Sequence, residues 1–180
     1  WPLFLALALW IKLDSKGPVF FQQTRVGRYE RNFKILKFRS MSVVLPGQTA
    51  GLLITVGQDA RVTRSGAFIR KTKLDELPQL INVLKGEMSI VGPRPEVPQY
   101  IAYYTPQQKA CVLSVRPGIT DNASIIFRDE NEILGKAQDP EKAYVEEVLP
   151  IKIRLYTSYV ENNSFIQDLQ IIFKTLKILF

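Results

Sequence analysis

Apolar residues cluster at both ends of the chain and recur at regular spacing between them. Residues 1–11, WPLFLALALWI, form one uninterrupted apolar run. As a helix this run is about 16 Å long, roughly half the hydrocarbon core of a bilayer, so it cannot span a membrane alone. Two interpretations stay open: a helix buried in the core, or a membrane-associated helix bordered by the polar residues Lys12, Asp14 and Lys16.

A β-hairpin is predicted next, because residues 19–24 and 33–39 have strand-like composition and Gly27 and Arg28 lie between them. Many of its side chains are basic, and they form either a solvated face of the sheet or a surface that faces lipid phosphates. This basic set comprises Arg25, Arg28, Arg31, Lys34, Lys37 and Arg39.

Capping signals predict several helices in the rest of the chain. Ser65 is expected to cap a short helix, and the sequence TPQQ at residues 105–108 has the form of a capping box. A further helix is expected to start at residues 139–142, and Pro150 should break or kink it. Residues 42–58, which contain three glycines and a proline, are predicted to form a mobile loop.

The last predicted helix begins with a capping box formed by Ser164 and Gln167. Its apolar side chains share one face, and Gln170, Lys174 and Lys177 lie outside that face. The apolar face either packs on the core or lies in a membrane interface. Its members are Phe165, Ile166, Leu169, Ile172, Phe173, Leu176, Leu179 and Phe180.

Composition limits both the fold and the chemistry. The chain has 180 residues, 46% hydrophobic and 23% charged, which suffices for one domain with a packed core. Helical patterns outnumber strand patterns, so we predict an α+β domain, mostly helical, with a small antiparallel sheet. The net charge of +7 suits anionic partners, either nucleic acid or phosphates of lipids and substrates. Because the chain has no histidine, its chemistry must rest on carboxylates, Arg, Lys and hydroxyls.

The stretch LDELPQLINVLKGEMSIVGPRP, residues 74–95, has the strongest functional pattern. Apolar residues recur there at helical spacing up to Gly86, and Asp75 occupies the position of an N-cap. Asp75 and Glu76 would then lie at a helix N-terminus, which favours carboxylates, phosphates and the ions that bridge them. Arg94, held between two prolines, presents a guanidinium suited to bidentate phosphate binding. The stretch therefore predicts a phosphate-handling site, with a purely structural cap as the alternative for Asp75.

This stretch resembles the signature of the bacterial sugar transferases, the monotopic phosphoglycosyl transferases. Four more segments carry the resemblance, so it runs nearly end to end. In that family a sugar 1-phosphate passes from a UDP-sugar to polyprenol (undecaprenyl) phosphate, and UMP is released. The four segments are KLDSKGPVFFQQTRVG (residues 12–27), FKILKFRSM (33–41), VRPGIT (115–120) and SFIQDLQIIFKT (164–175).

The resemblance implies roles for six residues. Asp75 is the expected nucleophile and forms a covalent aspartyl-phosphosugar intermediate. Glu76 is expected to bind Mg²⁺ or to serve as a base. The residues before Arg128 differ from the family pattern, which bears on the choice of sugar. The expected substrate-binding residues are Arg70, Arg94, Arg128 and Asp168.

The resemblance also implies a location on the cytoplasmic face of the bacterial inner membrane. Residues 1–16 correspond to the end of a re-entrant membrane helix and its border, with Pro2 at the family's proline and Trp1 in place of its serine. The first half of that helix is therefore expected to precede the chain as given. Residues 17–180 correspond to the phosphoglycosyl transferase domain, with an interfacial C-terminal helix.

Two other functional classes stay open from the residues alone, namely a membrane-surface scaffold without activity and a basic nucleic-acid-binding protein. The sequence contains no internal repeat, glycine-rich phosphate loop, metal-type cysteine cluster or nucleic-acid-binding motif. Nucleic acid is therefore not an expected partner. The expected partners are a UDP-sugar, polyprenol phosphate and membrane lipids, with Mg²⁺ as the cofactor.

Overall fold

A computed structural model describes residues 2–43 and 59–179 of the chain. The loop predicted at residues 42–58 lies almost wholly outside this range, as do Trp1 and Phe180. The described elements make an α+β fold that is mostly helical. In chain order they are α1 (Pro2–Asp14), β1 (Phe20–Val26), β2 (Asn32–Phe38), α2 (Arg64–Lys71), α3 (Gln79–Leu84), β3 (Ser89–Val91), α4 (Pro98–Ile101), α5 (Pro106–Val112), β4 (Gly118–Thr120), α6 (Asn122–Ile126), α7 (Glu130–Gly135), α8 (Pro140–Ala143), α9 (Leu149–Asn162) and α10 (Phe165–Leu179).

The described part of the chain contains two sheets of two strands each. β1 and β2 pair antiparallel, from Phe20 opposite Phe38 to Val26 opposite Asn32, which confirms the predicted hairpin. β3 and β4 pair in parallel, with Ser89 opposite Gly118. This parallel pairing corrects the prediction, which contained only antiparallel strands. Two strands so far apart in sequence leave no local signal that they pair.

Most of the core lies among helices α4 to α9 and the end of β1. A second cluster joins α1 to β2 and α2 through Leu7, Ile11, Phe38 and Ile69. Smaller clusters place β2 against Met88 and join β3 to α9 and α10. Leu74 and Leu77, on either side of Asp75, pack against the second of these clusters, so β2 and α2 hold the turn that contains Asp75.

The buried face of α3 is polar rather than apolar. Leu84 is 88% exposed, whereas Gln79 and Asn82 are fully buried. The Asn82 side chain accepts the Leu36 N–H at 3.0 Å and donates to the Lys34 carbonyl at 2.9 Å. Both groups belong to β2, so an amide on α3 satisfies backbone groups at the edge of the hairpin. Helical spacing predicted this helix, while edge hydrogen bonding decides which of its faces is buried.

The N-cap of α2 differs from the predicted one. Thr63, not Ser65, is the N-cap, and its hydroxyl accepts the Gly66 N–H. Ser65 is buried and donates through both its N–H and its hydroxyl to the Asp14 carboxylate, each at 2.8 Å. Asp14 is the last residue of α1, so this contact joins α1 to α2.

Other capping predictions are confirmed with two adjustments. Thr105 and Gln108 form the predicted capping box, and the Asp139 side chain accepts the Lys142 N–H. At α10 only one half of the box forms: the Gln167 N–H donates to the Ser164 hydroxyl. Residues 144–148 form a π-helical turn that leads directly into α9, so Pro150 lies in the first turn of α9 and does not interrupt it.

Most of the predicted apolar face of α10 stays exposed, although Ile172 packs against the cluster of Val91, Tyr159 and Ile171. Phe165 is 75% exposed and Phe173 is 67% exposed, whereas Ile171, on another side of the helix, is buried. Several leucines of α1 are also exposed. Among residues 2–43 and 59–179, none of the helices combines the length and apolarity that crossing a bilayer requires.

Candidate active site

Asp75 and Glu76 lie in a 3-10 turn, Leu74–Glu76, that connects α2 to α3. Lys73 precedes this turn with φ of 56°, a left-handed conformation that ends the helical direction of α2. Neither the turn nor α3 has a side-chain N-cap, so the prediction that Asp75 caps the helix is wrong. The physical reason is that Pro78, with φ of −62°, stands directly before α3.

Glu76 is held by two cations. Its Oε1 accepts hydrogen bonds from Lys37 Nζ at 2.7 Å and from Arg94, and its Oε2 lies 3.4 Å from Arg94 Nη1. Lys37 comes from β2, and Arg94 comes from the loop after β3. The pair of ion contacts therefore fixes three separate segments of the chain around one carboxylate.

The two acids differ in their electrostatics. Burial would raise the pKa of Glu76, but the charges of Arg94 and Lys37 outweigh it and hold that pKa well below its usual range. For Asp75, burial dominates and raises the pKa, although Lys37 and Arg70 oppose the shift. Asp75 Oδ1 makes no hydrogen bond within the described residues. Asp75 thus has a buried carboxylate oxygen to which none of the described residues donates a hydrogen bond.

Arg94 is fixed by more than its two prolines. The Arg25 guanidinium donates to the Pro95 carbonyl at 3.0 Å, and the Val26 N–H donates to the Glu96 carbonyl at 2.9 Å. A Cβ on Gly118 would lie 2.2 Å from the backbone nitrogen of Gly92, so only glycine permits β4 to approach this loop. The loop that presents Arg94 is therefore anchored on both sides.

A chain of buried polar groups lies behind this loop. Tyr144 donates its hydroxyl to Glu96 Oε1 at 2.9 Å, and Lys152 lies 3.5 Å from the same hydroxyl. Lys152 also forms an ion pair with Glu130 of α7. These contacts connect the Arg94 loop to the helices of the main core.

The predicted site residues fall into two groups. Arg70, in the last turn of α2, lies near Asp75, and its charge opposes the rise that burial causes in the pKa of that carboxyl. Arg128 is exposed, and its side chain makes no hydrogen bond or ion pair within the described residues. Asp168 accepts a 2.7 Å hydrogen bond from the Tyr159 hydroxyl. The structure therefore does not bring Arg128 or Asp168 into the contacts around Glu76.

Lys37 belongs to the cluster around Glu76, but the sequence predicted no site role for it. It was identified only as one of the basic residues of the hairpin. Alternation along β2 puts Lys37 on the same face as Phe33 and Ile35, both of which are buried. A lysine in a position where the pattern calls for an apolar residue was the available signal. Asp121 was missed as well; it is buried, it caps α6, and its charge raises the pKa of Arg94.

The carboxylates match only part of a metal site. The described residues contain no group of three or more His, Cys, Asp or Glu side chains that could hold an ion. Mg²⁺ in phosphate-transfer sites, however, needs one or two carboxylates and takes its other ligands from water and substrate phosphates. The unpartnered Asp75 oxygen and the neighbouring Glu76 fit that kind of shared site.

The chain is similar to known proteins over its whole length. A family model described as "Bacterial sugar transferase" matches residues 1–180. The chain is 40% identical over 178 residues to the "UDP-N-acetylgalactosamine-undecaprenyl-phosphate N-acetylgalactosaminephosphotransferase" of Aeromonas hydrophila, covering 98% of this chain and 38% of that protein. It is 38% identical over 178 residues to the "UDP-glucose:undecaprenyl-phosphate glucose-1-phosphate transferase" of Escherichia coli (strain K12), covering 97% of this chain and 35% of that protein.

A shorter relative aligns over most of its length. The chain is 40% identical over 189 residues to the "Exopolysaccharide production protein PSS" of Rhizobium leguminosarum bv. phaseoli, covering 97% of this chain and 84% of that protein. The chain thus spans just over a third of the first two relatives and most of the third.

Proposed function

Because the chain belongs to the bacterial sugar transferase family, we propose that it transfers a sugar 1-phosphate from a UDP-sugar to polyprenol phosphate and releases UMP. The names of two relatives include undecaprenyl phosphate, and they differ in the sugar. The observation that carries the proposal is the position of Asp75. It combines an unpartnered, buried carboxylate oxygen with neighbouring Lys37 and Arg70 charges.

The reaction proceeds in two displacements. A carboxylate oxygen of Asp75 attacks the β-phosphorus of the UDP-sugar, the bond from that phosphorus to the bridging oxygen breaks, and UMP leaves. The sugar phosphate is then bound to Asp75 as an acyl phosphate. An oxygen of polyprenol phosphate attacks the same phosphorus and restores the Asp75 carboxylate, which leaves polyprenol diphosphate-sugar as the product.

Positive charge around Asp75 supports this chemistry. Phosphoryl transfer needs the equatorial and leaving oxygens to be neutralised, and Arg94, Lys37 and Arg70 are the cations grouped around the two acids. Arg128 and Asp168 are proposed to bind the nucleotide sugar, with Asp168 held in place by Tyr159.

Mg²⁺ is the proposed cofactor, and Glu76 with Asp75 would hold it together with the diphosphate. When bound, the ion neutralises phosphate charge and polarises the phosphorus-oxygen bonds. Arg94 and Lys37 hold the pKa of Glu76 low in the free protein, so Glu76 is an ionised carboxylate, the form that binds a hard cation. Metal binding is therefore the preferred role for Glu76.

The enzyme is further proposed to sit on the cytoplasmic face of the bacterial inner membrane without crossing it. Support comes from the exposed apolar side chains of α1 and α10 and from the net charge of +7, which favours an anionic leaflet. In this arrangement polyprenol phosphate reaches the site from the bilayer.

The covalent intermediate provides the decisive experiment. Purified protein is mixed with Mg²⁺ and a panel of UDP-sugars labelled in the sugar, without polyprenol phosphate. The proposal expects UMP release equivalent to the enzyme present and a label at Asp75 that alkali or hydroxylamine removes. A label on another residue excludes Asp75 as the nucleophile, and no UMP release from any sugar, with or without polyprenol phosphate, favours the scaffold alternative.

A further inference from the structure

Two cations converge on one oxygen of Glu76. Lys37 Nζ and Arg94 both donate to Oε1, and the second Arg94 nitrogen lies within 3.4 Å of Oε2. The three side chains are not sealed from solvent: Lys37 is 19% exposed, Glu76 14% and Arg94 28%. A solute can therefore reach this cluster without opening the core.

The chemistry of the Lys37–Arg94 pair is that of a phosphate site. A planar guanidinium and an ammonium that share one acceptor oxygen bind phosphate as readily as carboxylate, and phosphate offers more acceptor oxygens. Asp75, the next residue to Glu76, has an unpartnered oxygen. A phosphate bound to this pair would thus lie beside the group that is to attack it.

The free cluster has little positive charge to spare. Lys37, Arg70 and Arg94 contribute three positive charges, and Asp75 and Glu76 contribute two negative charges when both are ionised. A diphosphate that joined the intact cluster would add uncompensated negative charge in a partly buried site, which is costly. Binding is less costly if Glu76 leaves the pair, or if a divalent cation enters with the diphosphate.

We propose that Lys37 and Arg94 together form the binding site for the donor's diphosphate, and that Glu76 occupies this site in the free protein until the diphosphate displaces it. Lys37 is thereby a further substrate-binding residue. The inference rests on the proposed function, because it takes the ligand to be the diphosphate of a nucleotide sugar. Displacement also frees both Glu76 oxygens, which Lys37 and Arg94 otherwise engage, for a metal ion.

A binding experiment without turnover tests the displacement. Inorganic pyrophosphate is titrated into the protein by calorimetry, first in EDTA and then with saturating Mg²⁺. In EDTA, Glu76→Gln should bind pyrophosphate several-fold more tightly than wild type, because the competing charge is gone. With Mg²⁺ the order should reverse, because the variant lacks a metal ligand.

Glu132→Gln is the matched control, since it removes one negative charge from an exposed position on α7. Its affinity should stay within twofold of wild type in both conditions. If Glu76→Gln binds pyrophosphate in EDTA no more tightly than Glu132→Gln, the displacement is wrong. Thermal melts of all variants verify that they are folded. Where Glu76→Gln does not fold, Glu76→Asp replaces it: its shorter side chain reaches Lys37 and Arg94 less well, so it too should bind pyrophosphate in EDTA more tightly than Glu132→Gln does.

Lys37 is tested separately. Lys37→Gln should weaken pyrophosphate binding in EDTA at least several-fold, and Lys37→Arg should restore most of it. Wild-type affinity in Lys37→Gln would remove Lys37 from the site. These affinities do not depend on which residue is the nucleophile. If the variants show the expected affinities but Asp75 is never labelled, the diphosphate site is supported and the proposed covalent mechanism is contradicted.

Discussion

Asn82 substitutes for a neighbouring strand along β2, because its side-chain amide both accepts the Leu36 N–H and donates to the Lys34 carbonyl. The same amide donates to Glu87 at 2.7 Å. Lys37 follows Leu36 directly, and Glu76 lies six residues before Asn82. The contact therefore fixes the spacing between the strand and the turn that form the ion pair of the site.

Asn82→Ala should destabilise the protein substantially. The substitution leaves the Leu36 N–H and the Lys34 carbonyl without partners, and each such loss costs about 1–3 kcal/mol. We expect the free energy of unfolding to fall by about 2–4 kcal/mol in denaturant titrations. Asn162→Ala is the control, since the Asn162 amide is exposed and, within the described ranges, donates only to the Ser158 carbonyl. Equal losses in the two variants would contradict the strand-like role of Asn82.

Local patterns in the sequence predicted most elements but not their orientation. The capping box at Thr105 and the hairpin depend on neighbouring residues, and both were found. The buried face of α3 depends on the unpaired edge of β2, 46 to 48 residues away, whereas the spacing of apolar residues predicted only that a helix is there. Thr63 rather than Ser65 caps α2 because Asp14, far away in sequence, engages Ser65.

The residues of the candidate site were likewise predictable only where the signal is local in sequence. Asp75, Glu76 and Arg94 stand in one stretch, so a single motif revealed them. Lys37 joins them through tertiary packing alone, and the only local sign was a lysine on the apolar face of a strand. The parallel pairing of β3 with β4, which positions the Arg94 loop, likewise has no local signature.

Arg94→Lys should impair turnover even though it preserves the charge. A lysine ammonium cannot reproduce the two-nitrogen contact of Arg94 with Glu76 or with a phosphate. We expect UMP release to fall roughly 100-fold, the lower end of the range seen when one transition-state donor is lost. Arg31→Lys, an exposed change on the hairpin, is the control and should retain wild-type rates. Near-wild-type activity of Arg94→Lys would demote Arg94 to a structural residue.

The protein should bind vesicles that contain anionic lipids without spanning them. Phe165→Gln and Phe173→Gln remove exposed apolar surface from α10, so both should weaken co-sedimentation with vesicles. Their stability should change by less than about 0.5 kcal/mol, because neither side chain is packed in the core.

Topology is tested by protease protection from the two sides of a sealed membrane. Sites near Asp75 and sites near Lys174 should be cleaved from the same side. A tag after Phe180 that is accessible only from the opposite side would contradict the monotopic arrangement.

Asp75 and Glu76 should respond to pH in opposite directions, although they are adjacent. The pKa of Glu76 is lowered in the folded protein, so ionised Glu76 stabilises the fold above its ordinary pKa of 4.5. Glu76→Gln should therefore be less stable than wild type near pH 7, and the deficit should shrink as the pH falls below 4.5 toward the lowered value.

Asp75→Asn should make the protein more stable near pH 7 while it abolishes turnover. Burial raises the pKa of Asp75, so the folded state binds that proton more tightly than the unfolded chain does, and ionisation above pH 3.8 destabilises the fold. The amide carries no charge to desolvate, and it cannot form an acyl phosphate. The gain in unfolding free energy should be complete above the raised pKa and vanish below pH 3.8. Denaturant titrations at several pH values measure this difference, and a stability deficit that grows with pH would mean that neighbouring cations, not burial, dominate at Asp75.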